Sequence, residues 1–111
     1  MKVFATLIVI ITLSLSVAAN DVSKLLESKP ASGRADILTN FLHQSGYECG
    51  KATRTFLQGY DKDDAGYWNI ACSNGQSYSV QVQADPSGKT RILECSIMKM
   101  IGAECFKKFS N

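Results

Sequence analysis

From Gln76 to Ala84 the chain alternates without interruption: Tyr78, Val80 and Val82 fall on one parity, and Ser77, Ser79, Gln81 and Gln83 on the other. A period of two is that of a strand with one face buried and the other in water. Tyr67 to Ser73 repeats the pattern, with Trp68, Ile70 and Cys72 set against Tyr67, Asn69 and Ala71. Thr90 to Cys95 is a shorter strand, with Leu93 and Cys95 to one side and Ile92 to the other. In Ala52 to Tyr60, Arg54, Phe56, Gln58 and Tyr60 alternate with Thr53, Thr55 and Leu57, so neither face is purely apolar.

Turn chemistry separates these strands. Residues 61–66 (DKDDAG) make a polar hairpin loop, Ser73-Asn74-Gly75-Gln76 carries an Asn-Gly pair that predicts a type I′ turn, and Asp85-Pro86-Ser87-Gly88-Lys89 makes a longer turn. Three successive hairpins predict a four-stranded antiparallel meander.

The helical period appears on either side of this sheet. Ile37, Leu38, Phe41 and Leu42 lie at helical intervals within residues 34–47, and Gly46 is a stop signal. This amphipathic helix needs a partner surface, and the apolar face of the meander supplies it. Residues 20–33 contain a short helix-capable piece, but Pro30 and Gly33 interrupt it, so a flexible start or linker is expected there. After Cys95, the spacing of Ile97, Met98 and Ile101 predicts a short helix ended by Gly102, followed by an irregular tail. The expected class is α+β: one N-terminal helix on a meander, a short C-terminal helix, and a single domain over 34–111.

Ahead of that domain, Lys2 precedes an apolar run from Val3 to Leu15, and Val17 and Ala19 are small residues placed for cleavage. This is the form of a secretory signal peptide, expected over residues 1–19. The run is shorter than the roughly 20 residues that cross a bilayer, and no second one follows, so no integral span is expected after its removal. Cys49, Cys72, Cys95 and Cys105 all lie in the exported part, and an even number in a small oxidised domain predicts two disulfides. A zinc site has no C-x-x-C pair to start from, and His43 is remote in sequence from every cysteine.

In a meander, Cys72 and Cys95 stand two strands apart, roughly 9–10 Å, beyond the reach of one disulfide. Two connectivities then remain. Shorter loops favour Cys49–Cys72 with Cys95–Cys105, provided the chain turns back near Gly102.

Composition narrows function mostly by exclusion. After removal of the leader, cations and carboxylates nearly balance, so net charge supplies no reason to expect nucleic acid or an anionic membrane as partner. Oxidised cysteines are not nucleophiles, His43 lies on the polar side of its helix, and no G-x-S-x-G elbow is present. Asp61, Asp63 and Asp64 do not make a calcium loop, because Ala65 takes a ligand position and no closing Glu follows. No catalytic residue, cofactor or metal ligand is therefore assigned. What remains is binding: Tyr60 and Tyr67, with the polar stripe Ser77, Ser79, Gln81 and Gln83, are the expected partner-binding residues.

The order of helix, strand, acidic turn and two further strands, with Asp85, Ser87 and Gly88 in the last turn of "ADPSGKTRIL", resembles the PepSY-like domains of small exported bacterial proteins. The stretch from Thr53 to Val82, with the later "ILEC" and "ECFKKF", is also similar to small secreted proteins of proteobacteria. The resemblance implies a periplasmic or secreted setting and a binding or inhibitory module. The expected function is a non-catalytic protein-binding module, in one form an accessory part of an envelope complex whose partner is another envelope or secreted protein. The alternative is a secreted inhibitor of a peptidase or other hydrolase, acting through the loops at 61–66 or 85–89.

Overall fold

The computed structural model describes residues 20–87 and 89–110; the expected signal peptide at 1–19 and Gly88 lie outside the described residues. The element order is α1 (Asp21–Ser28), α2 (Ala31–Gln44), β1 (Ala52–Tyr60), β2 (Gly66–Cys72), β3 (Ser77–Val82), β4 (Thr90–Glu94) and α3 (Cys95–Met100). The four strands form one antiparallel sheet in the order β1-β2-β3-β4, the expected meander. Strands fall where alternation and turn residues agree, and the chain is α+β as its pattern predicts.

One face of the sheet carries the core. Trp68 pairs with Val80 and Ile70 with Tyr78 across β2 and β3, and Leu26, Leu38 and Leu42 from the helices close over them. Each such side chain taken out of water contributes about 2 kcal/mol. Register shifts between Ala52 and Arg54 and between Leu57 and Gly59 resolve the ambiguous parity of β1. A bulge resets alternation, so Ala52 and Leu57 join the core side while Gln58 faces the other way, bonded to Asn69.

The N-terminal segment corrects the expectation of a flexible start. Asn20 caps α1 by accepting from the Ser23 amide at 3.1 Å, and its Nδ2 donates to Asp64 O and Val82 O. Leu26 is wholly buried in the core, and Ser23 Oγ accepts from Trp68 Nε1 at 2.9 Å. The approach is so close that a Cβ on Gly66 would lie 2.5 Å from Ser23 Oγ, so only glycine fits there. Pro30 does not loosen the chain; it stands as the N-cap of α2, where its missing N–H costs nothing. Arg34 then ties the two helices, donating to Leu26 O and Lys29 O at the end of α1 while its guanidinium lies 5.4 Å from the Trp68 ring centre. Among the described residues, 20–33 therefore pack with the segment that begins at residue 34.

Both disulfides form in the favoured pairing, Cys49–Cys72 with Cα atoms 5.0 Å apart and Cys95–Cys105 at 5.7 Å. The second requires the reversal after α3, where Gly102 takes φ +82°. The Asn-Gly turn differs from expectation. Gly75 N donates to Cys72 O and only Gly75 has positive φ, so the turn is not of type I′, which needs both central residues left-handed. Among the described residues, no helix is long and apolar enough to cross a membrane.

Candidate functional site

The polar face of the sheet, expected to be wet and available to a partner, is covered by the C-terminal tail. Asn69 is wholly buried; its Oδ1 accepts from Phe106 N at 2.7 Å, and its Nδ2 donates to Gln58 Oε1. Gln58 Nε2 in turn donates to Glu104 O and Lys107 O, and Phe109 N donates to Gln58 O. Two buried side-chain amides thus read the tail's backbone as a strand would. Aromatic contacts add to the seal: Phe106 lies against Phe56, and the edge of Phe109 meets Tyr67 with ring centres 5.0 Å apart.

Three of the expected partner-binding residues, Tyr60, Tyr67 and Gln81, make side-chain hydrogen bonds within the molecule. Ser79 is buried, and Ser77, Gln81 and Gln83 are half-buried. Gln81 Nε2 donates to Tyr67 OH, which itself donates to Asp61 Oδ2 at 3.1 Å. Tyr60 lies on the opposite side of the sheet, where its hydroxyl meets Ser23 Oγ at 2.7 Å and donates to Glu27 of α1. Burial first, and the Glu27 carboxylate next, push its phenol up to about 12. Tyr60 therefore lies apart from Tyr67, which shares its face of the sheet with Ser77, Ser79 and Gln81.

The loop at 61–66 is stapled by one carboxylate. Asp61 Oδ1 accepts from the amides of Asp63 and Ala65. Burial acts to raise the Asp61 acid, but these two amides and the Tyr67 hydroxyl outweigh it and hold the group below the usual aspartate value. Among the described residues, no three His, Cys, Asp or Glu side chains stand together as a metal set. All four cysteines are in disulfides, and His43 is exposed on α2.

Two features remain open to solvent. The first is a groove of about 440 Å³ between α2 and the outer edge of β1. Ala35, Thr39 and His43, at successive turns of α2, form one wall, and residues 50–55 form the other. Ala31, Ala35 and Thr39 are small where the helix passes the strand, which leaves the groove, while Leu38 and Leu42 anchor the helix from its neighbouring face. Among the described residues, β1 has β2 on one side only, and no strand meets the main-chain donors and acceptors of its other edge. The stretch from Arg54 to Leu57 lies between the two bulges, and beyond it the tail takes the Gln58 carbonyl.

The second feature is the outer side of α3. Met98 turns inward, and Ile97, Met100 and Ile101 stay exposed. The short helix predicted from the spacing of Ile97, Met98 and Ile101 forms, and, tied down by Cys95, it buries only Met98 of the three. Sequence patterning missed both features. The signal for the groove was the run of small residues Ala31, Ala35 and Thr39 at four-residue intervals; the signal at α3 was apolar side chains directly before a glycine.

Compared with protein-family models, curated proteins and solved structures, the chain matches none.

Proposed function

We propose that this chain is a non-catalytic, exported protein-binding module, periplasmic or secreted, that holds an extended segment of another envelope or secreted protein along the free edge of β1. One observation carries this reading: an edge strand lies beside an unfilled groove walled by a helix. A segment adding to such an edge gains main-chain hydrogen bonds from the strand, while alternate side chains enter the groove. The wall residues Asp36, Thr39, Asn40 and His43 suit a polar segment. Two disulfides in a small domain support an oxidising compartment, and the leader-like residues 1–19 support export. Kinship with PepSY-like domains, proposed from the pattern of elements, agrees with a binding role.

The test is the native size of the endogenous processed protein in a mildly solubilised envelope extract, for the wild type and for Asn40→Trp. Asn40 is exposed and lines the groove, so a bulky ring there fills the site without touching the core. Wild type in a larger assembly and the variant as a free monomer is the expected result. Wild type as a monomer, or the variant still assembled, sinks the proposal. The inhibitor reading draws on the pre-shaped 61–66 loop; saturable inhibition of a hydrolase by the monomer would favour it.

A further inference from the structure

We infer that the end of α3 is a contact site for an anionic phospholipid surface, separate from the groove at β1. Met100 is 80% exposed and Ile101 67%, in a domain whose other large apolar side chains are mostly covered. Ile97 stands three and four residues before them, hence on the same side of the helix. Leaving such side chains in water is unfavourable, and a cluster of them marks a surface that meets something apolar.

Charge decides which apolar surface. The near-neutral total hides a division along the chain. After residue 88 stand Lys89, Arg91, Lys99, Lys107 and Lys108 against only Glu94 and Glu104, whereas residues 20–87 hold more carboxylates than cations. Lys99 lies in the last turn of α3, and Lys107 and Lys108 line one cleft with Gly102, directly after Ile101. Lys107 also meets Glu104 at 3.7 Å, which holds it near the turn, and Lys108 lies 5.5 Å from the Phe56 ring centre of β1. An apolar tip bordered by lysines matches an interface where headgroups are negative and acyl chains begin below them.

Shape favours lipid over a protein. The chain reverses at Gly102, so Met100 and Ile101 sit at a turn and project outward. A rigid protein must present a matching cavity to such a projection, whereas a bilayer conforms to it. Methionine, unbranched and flexible, adapts to a disordered medium. Lysine can also bury its stem in the interface while its ammonium stays with the headgroups.

The test is vesicle co-sedimentation of the processed chain recovered after export, its N-terminus checked by mass spectrometry so that the leader takes no part. Phosphatidylcholine vesicles are compared with vesicles that also contain phosphatidylglycerol, at low and high salt. The expected result is binding to the anionic vesicles, lost at high salt. Met100→Ser/Ile101→Ser should weaken it by about tenfold or more for each side chain removed. Both positions are exposed, so near-UV circular dichroism should be unchanged in the variant. Absence of binding to anionic vesicles, equal binding to neutral ones, or full retention by the variant overturns the inference. Capture by an acidic protein with no response to vesicles overturns it as well.

Discussion

Asn69 bears more of the fold than its polar character suggests. It is wholly buried on the face opposite the core, and its amide serves both Gln58 and the Phe106 backbone. Asn69→Leu, of similar size, would leave the Phe106 N–H and the Gln58 carbonyl oxygen without these partners. An unsatisfied buried polar group costs about 1–3 kcal/mol, so a loss of about 3 kcal/mol is expected in urea unfolding. A loss below about 0.5 kcal/mol, the level of an ordinary surface change, would mean that the tail does not depend on this contact. Sequence could place Asn69 on the side away from Trp68, but not say that the side was covered.

At the scale of elements, the C-terminal segment acts as a strap. The Cys95–Cys105 disulfide fixes its start, and the contacts of Phe106 and Phe109 hold the remainder. The Cys95→Ser/Cys105→Ser double variant should lose about 3 kcal/mol, the chain-entropy value for a loop of this length. It should also raise amide hydrogen exchange at Phe106 and Phe109 more than at Ile70 or Val80. Uniform exchange across all four amides would show that the strap and sheet open only together. The α1 and tail segments were the least legible elements. Each is short and interrupted by Pro or Gly, and a short amphipathic piece is stabilised by what it packs against rather than by its own propensity. The strands were legible because alternation and turn residues are local signals.

For the molecule as a whole, several phenols join layers that are distant in sequence. Tyr60 links β1 to α1, Tyr67 links β2 to the stapled loop, and Tyr78 OH donates to Glu48 O after α2. All three acids are raised, chiefly by burial, and Tyr60 reaches about 12 against an ordinary value of 10.0. The folded chain therefore keeps protons that the unfolded chain releases. Stability from Tyr60 is fully present below about pH 10 and declines as pH rises through the folded value near 12. Rapid pH-jump unfolding should show this alkaline loss, with a shallower slope in Tyr60→Phe. An identical slope in that variant would remove Tyr60 from the account.

The sequence by itself determined the four strands and their antiparallel order and the α2 stripe, and it narrowed the cysteines to two pairings. Each depends on spacing between near neighbours or on the fixed distance between strands. Only the tertiary structure decided which faces are wet. Gln58 and Asn69 are polar, yet they are buried, and backbone groups up to 49 positions away in the chain take up their hydrogen bonds. Ile97, Met100 and Ile101 read as apolar, yet they stay outside because the short helix that carries them has only one side against the sheet. Exposure is a relation between segments, so a local pattern indicates the side to which a residue points but not what lies there.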